Sequence, residues 1–166
     1  PLTSQFIRLD DVGDAVRLLV EEVKAFLKKS AIQIPGGVDL ELSHHYGLDR
    51  FREFGLTLMT VINRGYCKKL MVSLPGQIHP EQYHRQKEET FHILYGEVQL
   101  TLDGVTTHHE PGALVVVEPG VKHAWVSRTG AVIEEISSTH HGHDSFYSDE
   151  AINKNQKRNT LLTYWM

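Results

Sequence analysis

The sequence predicts an all-β jelly roll preceded by one α-helix, and three observations predict it. Short apolar or β-branched runs follow Gly55, turn residues divide them mostly at intervals of roughly ten residues, and one stretch ahead of Pro35 has helical periodicity instead. From Asp10 to Lys29, apolar residues recur at Val12, Val16, Leu19, Val20, Val23, Phe26 and Leu27, the i, i+4, i+7 spacing of an amphipathic helix. Asp10 or Asp11 stands where an N-cap belongs, and Lys28 and Lys29 suit the negative end of the helix dipole. Pro35-Gly36-Gly37 then breaks the pattern.

The strand candidates are LTLMTVI, KKLMVSL, TFHILYG, VQLTL, ALVVV, AWVS and AVIEEIS. Leu74-Pro75-Gly76, Asp103-Gly104, Pro111-Gly112, Pro119-Gly120 and Arg128-Thr129-Gly130 supply the turns between them. From Asn153 the chain becomes basic and polar and then ends in LLTYWM. An exposed Trp165 and Met166 would leave an apolar patch, so this tail is expected to cover the barrel or bridge two subunits. The expected division is a helical segment over 1–38, a barrel over 39–150 and a packing tail over 151–166. There is no internal repeat, and the one biased stretch is THHGHD at 139–144.

At 166 residues and 40% hydrophobic content, the chain suits one domain. A net charge of −4 and no basic stripe before residue 154 exclude a nucleic-acid surface. Cys67 is the only cysteine, which excludes an intrachain disulfide and reads as a small half-buried side chain. PLTSQF lacks the pattern of a secretory leader, and no apolar run approaches the ~20 residues of a membrane span. A cytoplasmic protein with small-molecule or protein partners is the expectation. Opening on Pro1 is compatible with a removed methionine, a cleaved tag or a piece of a longer polypeptide.

The stretch GQIHPEQYHRQKEETFHILYG packs three histidines, three acidic residues and two basic ones into twenty-one positions. Five residues separate Gly76 from Gln82, one separates Gln82 from His84, four lead to Glu89, and six lead to Gly96. This resembles the first motif of the cupin superfamily, Gly-x5-His-x-His-x3,4-Glu-x6-Gly, with Gln82 in the place of the first histidine. GALVVVEPGVKHAWVS resembles the second motif, Gly-x5-Pro-x-Gly-x2-His-x3-Asn: Gly112, Gly120 and His123 are in register, Glu118 takes the proline place and Ser127 the asparagine place. Fifteen residues separate the two motifs, close to the shortest spacing in the superfamily. The resemblance implies a double-stranded β-helix that holds a metal.

Physical chemistry supports the same reading. Residues two apart on a strand share a face, so Gln82 and His84 can point together into a barrel mouth, with Glu89 and His123 entering from neighbouring strands. Two imidazoles, a carboxylate and an amide oxygen suit a divalent ion, with Mn, Fe, Co, Ni and Zn all candidates. A lone strand histidine such as His79 or His92 reads as a satisfied or exposed residue, although His79 is a conceivable substitute for the missing imidazole.

Over residues 40–166 the chain is similar to D-lyxose isomerase-type cupins and to the C-terminal cupin domain of bacterial sialic acid synthases. The phrases that carry this are ELSHHYGLDRFREFG, VINRGYCKKLMVSLPGQIHPEQYH, KEETFHILYGEV, PGVKHAW, EEISSTHHGHDSFYSDEAI and KRNTLLTYW. For the isomerases the resemblance implies proton transfer between C1 and C2 of a sugar by Glu135, assisted by Lys87. Alternation sends one of Glu134 and Glu135 outward, and Glu135 is expected inward. His140, His141, His143 and Asp144 line the rim or form a polar loop, with Asp144 the first to test, while His45 and Tyr46 match the subgroup without a chemical role.

Three functions compete: a metal-dependent aldose–ketose isomerase, a non-catalytic domain that binds a sugar or sugar acid, and an Fe(II) oxygenase built on His84, Glu89 and His123. No glycine loop cradles a phosphate, which disfavours a phosphosugar, although Arg85 alone could serve one. Edge-strand pairing makes a homodimer the expected assembly.

Overall fold

Alternating strands build a barrel, and the helix seals one outer face of it. The computed structural model describes residues 6–166, so the first five residues of the N-terminal segment lie outside the described part. The first half contains β1 (Phe6–Arg8), α1 (Asp14–Ser30), β2 (Leu40–His44), α2 (Phe51–Phe54), β3 (Gly55–Asn63), β4 (Tyr66–Ser73) and β5 (Ile78–Tyr83). The second contains β6 (Glu89–Gly96), β7 (Val98–Leu102), β8 (Val105–His109), β9 (Leu114–Val117), β10 (His123–Val126), β11 (Ala131–Ser138), β12 (Phe146–Tyr147), α3 (Glu150–Lys154) and β13 (Asn159–Thr163). An eight-stranded sheet runs β1-β13-β2-β3-β4-β11-β6-β9 and faces a five-stranded sheet ordered β12-β5-β10-β7-β8. No helix is long and apolar enough to cross a membrane among the described residues.

The two faces of the larger sheet feed two cores. Leu70, Val72, Met59 and Val132 point outward and pack under Leu19, Val20, Val23 and Phe26 of α1. Leu56, Met71, Phe91, Ile133, Leu100 and Trp125 point inward and fill the base of the barrel. Leu19 is 2% exposed. Its replacement by alanine is expected to cost about 2–4 kcal/mol, read as a lower midpoint in urea at unchanged slope.

Two features of α1 differ from the sequence reading. The helix starts at Asp14 with Gly13 as its cap, whereas Asp10 and Asp11 belong to a 3-10 turn over Leu9–Asp11. Val12 is extended, which separates that turn from the helix, so neither aspartate reaches a free N–H of α1. At the other end Ala31 takes a left-handed conformation (φ 57°) and donates to the Lys28 carbonyl.

All seven strands read from the sequence form, and β1, β2, β5, β8, β12 and β13 are additional to them. Asp103 and Gly104 both have positive φ (44° and 83°), the tight turn that joins β7 to β8. A side chain at Gly96 would overlap the Gly130 carbonyl, so only glycine lets these two turns close on each other. The tail residues enter the larger sheet: β13 lies between β2 and β1, and the Trp165 indole donates to the Val38 carbonyl at 2.7 Å.

Candidate active site

The strands bring His84, Glu89 and His123 to one point in the barrel mouth. His84 follows the end of β5, Glu89 opens β6 and His123 opens β10. One ligand-type atom from each lies within 4.8 Å of the others. His84 Nε2 is 3.3 Å from Glu89 Oε1, and His123 Nε2 is 3.4 Å from Glu89 Oε2. His84 Nδ1 donates to the Asp144 carbonyl at 2.8 Å and His123 Nδ1 to the Val121 carbonyl at 3.0 Å, which leaves each Nε2 as a bare lone pair.

Those two Nε2 atoms and Glu89 Oε2 are buried without a hydrogen-bond partner. Three orphaned acceptors aimed at one another are unfavourable alone and become favourable around a cation. Burial keeps His123 below its ordinary pKa, hence neutral. Burial would raise the Glu89 carboxyl, but His84, Lys87 and His123 together hold it well below the usual range. Two imidazoles and an ionised carboxylate fit a divalent transition ion.

Gln82 is buried beside this triad, cross-strand from His123. Its Nε2 lies 3.3 Å from His79 Nε2, and the His79 ring stacks on Trp125 at 4.0 Å and 9°. An irregularity in the β5–β10 ladder, which pairs His123 with Gln82 but Trp125 with His79, turns both residues to one face. His79 does not take the missing histidine's place, because the wall holds it against Trp125 and Gln82. His92 points outward to Glu134, and His141 and His143 are exposed.

Lys87 and Glu135 meet next to the triad. The Lys87 ammonium lies 3.0 Å from Glu89 Oε1 and 3.3 Å from Glu135 Oε2. Burial pulls the Lys87 pKa down, but Glu135 and Glu89 outweigh it and raise it, so the group is charged. Burial, then the Glu89 charge, raises Glu135. Ser137 Oγ donates to Glu135 Oε2 at 3.1 Å. Alternation along β11 sends Glu134 outward to Lys68 at 3.0 Å and Glu135 inward.

Asp144 holds this arrangement from behind. Its carboxylate accepts the backbone N–H groups of Arg85, Gln86 and Lys87 at 2.8–3.1 Å, which ties down the loop between His84 and Glu89. Replacing Asp144 with alanine frees that loop and is expected to weaken divalent-metal binding by about 10–100-fold in a calorimetric titration.

The cavity above the triad has a volume of about 120 Å³. At the ~30 Å³ that a water occupies in the liquid, that is room for roughly four waters. Glu41, Ser43, Lys69, Tyr147 and Arg158 also line it, none of which the sequence reading singled out. A signal for one existed: Lys68 and Lys69 are adjacent on β4, so alternation had to send one of them inward.

His45 buttresses this wall. Its Nδ1 donates to the Phe54 carbonyl, while Nε2 accepts from Tyr147 at 3.0 Å and Ser43 at 3.2 Å. Burial lowers its pKa from 6.5 to about 4. The unfolded chain therefore takes up a proton that the folded one refuses. Its contribution is complete above pH 6.5 and is lost as pH falls toward 4. His45→Gln is expected to flatten the dependence of unfolding free energy on pH across that window.

A profile described as a cupin domain matches residues 69–145. The barrel has the cupin fold. Among curated proteins, the chain is 29% identical to the D-lyxose/D-mannose isomerase of Thermosediminibacter oceani, over 84% of this chain and 93% of that protein. It is 28% identical to the D-lyxose ketol-isomerase of a Thermofilum species, over 66% of this chain and 77% of that protein. Among solved structures, the L-ribose isomerase of an Acinetobacter species superposes with a TM-score of 0.73 at 13% identity, over 96% of this chain and 99% of that one. At that identity the likeness speaks for the cupin fold alone.

Proposed function

We propose that this cupin is a metal-dependent isomerase that interconverts an aldose and a ketose. The observation that carries the reading is the Lys87 ammonium, bridged between Glu89 and Glu135 beside the His84–Glu89–His123 triad. A binding or oxygenase site needs the triad alone, whereas a buried acid–base pair next to it suits proton transfer. Similarity to two D-lyxose isomerases supports the same reading.

His84, Glu89 and His123 would hold the ion, with the Gln82 amide oxygen as a further donor. When bound, the ion supplies Lewis-acid polarisation of the sugar's C1 and C2 oxygens. Glu135 takes the proton from C2 of the open-chain aldose, and its burial makes the carboxylate a stronger base than one in water. As the C1–O bond loses its double character, Lys87 donates to the oxygen that gains charge. The cis-enediol then receives a proton at C1 from Glu135, which can exchange with solvent between the two transfers, while the C2 hydroxyl passes its proton to Lys87, leaving the ketose.

Proton NMR of metal-loaded protein in D2O, with D-lyxose, D-mannose and a panel of other free sugars, tests this. Appearance of the ketose with deuterium at C1 or C2 is the expected result. Silence across the panel with each of Mn, Fe, Co, Ni and Zn would overturn it.

The free edge of β9 carries outward Leu114 and Val116, 66% and 52% exposed, which supports a homodimer formed across that face. Light scattering that returned the monomer mass at micromolar concentration would remove it.

A further inference from the structure

Proton transfer occupies the end of the cavity beside β6 and leaves the opposite wall without a task. β2, β3 and β4 build that wall. Glu41 projects from β2 and Lys69 from β4, with Leu58 of β3 between them, and all three line the cavity. Lys69 is only 5% exposed, yet among the described residues it has no carboxylate at ion-pair distance. The Glu41 carboxylate accepts no hydrogen bond from the described residues either.

Among the described residues, Lys87 is the one cation of the cavity with carboxylate partners. Lys87 is held by Glu89 and Glu135, and Arg158 donates to the carbonyls of Ile152 and Asn155. A buried ammonium and a carboxylate, both lacking partners while facing one void, are unfavourable unless something in the void completes them. Lys69 is also the direct cross-strand neighbour of Glu135, and Glu41 lies two strands further along the same face. At about 5 Å per strand, a sugar presenting C2 to Glu135 extends over Lys69 toward Glu41.

We propose that Glu41 and Lys69 form a subsite that reads the hydroxyls at the far end of the sugar and selects free sugars over their phosphate esters. This rests on the isomerase reading above. A hydroxyl both donates and accepts, so adjacent hydroxyls satisfy Glu41 and Lys69 together. A phosphate ester only accepts and carries close to two negative charges, so it offers Glu41 no donor and sets its charge against that carboxylate, a cost that Lys69 and the Arg158 guanidinium offset only in part. No lining residue belongs to a helix N-terminus that could take the anion instead.

The experiment compares D-lyxose, D-mannose and D-xylose with their terminal phosphate esters on the metal-loaded full chain, measuring both calorimetric binding and turnover. The wild type is expected to bind at least one free sugar about tenfold or more tightly than its ester. Glu41→Gln, which keeps the volume and removes the charge, should narrow that ratio at least about fivefold. Lys69→Met should weaken binding of the free sugar by about tenfold, with KM rising more than kcat falls. Wild-type protein that binds an ester as tightly as the free sugar overturns the subsite without needing either variant. So do folded variants, checked by near-ultraviolet circular dichroism, that bind the free sugar as the wild type does. Binding with the expected selectivity but no turnover leaves the subsite standing and overturns the isomerase, whereas no binding by any probe overturns both.

Discussion

Glu135→Gln is expected to lower kcat for sugar isomerisation by about 10²–10⁴-fold while leaving KM within a few-fold. Glutamine keeps the volume, and its amide can still accept from Ser137, which now bonds the carboxylate at 3.1 Å. What it cannot do is take a proton from carbon. Loss of deuterium incorporation at C1 and C2 should accompany the loss of turnover, since both depend on the same proton. Lys87→Met provides the contrast. Removing the ammonium leaves Glu89 and Glu135 to repel each other across the gap that it now bridges at 3.0 and 3.3 Å. Proton exchange should then slow along with metal binding, whereas Glu135→Gln should leave metal binding near the wild-type value. A Glu135→Gln variant that retained full exchange would assign the base to another group.

Glu89→Gln should nearly abolish the stabilisation conferred by divalent metal. In the wild type, an ion present at a thousandfold excess over its dissociation constant adds about 4 kcal/mol, which raises Tm by about 8–16 °C for a chain of this size. Glu89 is the only negative charge among the three clustered side chains, and it faces both imidazole Nε2 atoms at 3.3 and 3.4 Å. An amide in its place contributes one neutral oxygen, so the metal-dependent shift should shrink to a few degrees. Scanning calorimetry with and without a chelator reads this directly. A full metal-dependent shift in Glu89→Gln would move the ion to a different ligand set.

Spacing made the triad legible, because His84, Glu89 and His123 are fixed in number from glycines that the barrel needs at its turns. Glu135 was legible for a different reason: two adjacent carboxylates on one strand cannot both face solvent. The pairing of Gln82 with His79 was not, because an irregular step in a ladder breaks the two-residue period on which any reading of facing depends. The strands β2 and β13 were hidden in a similar way. ELSH and NTLLT are short and mixed in character, and they pair with each other across more than a hundred positions, while β2 also pairs with the nearby β3. Glu41 shares that origin, since nothing nearby in the sequence indicates which wall it joins. Asp144 stood out by composition, but its use, capping the loop from Arg85 to Lys87, depends on a contact across 57 to 59 positions.

The closing of β13 against β2 also bears on how the protein folds. Asn159 pairs with Ser43, and His44 meets Thr160 across 116 positions. Arg158 and Asn159, which form part of the cavity wall, are held by that pairing. Contacts so distant in sequence are slow to find each other, since the loop must close before any contact is gained. During refolding, the His84–Glu89–His123 triad, whose members lie within 40 positions of one another (84 to 123), can assemble before that wall exists. A refolding chain should therefore acquire metal in an early kinetic phase and sugar affinity in a later one.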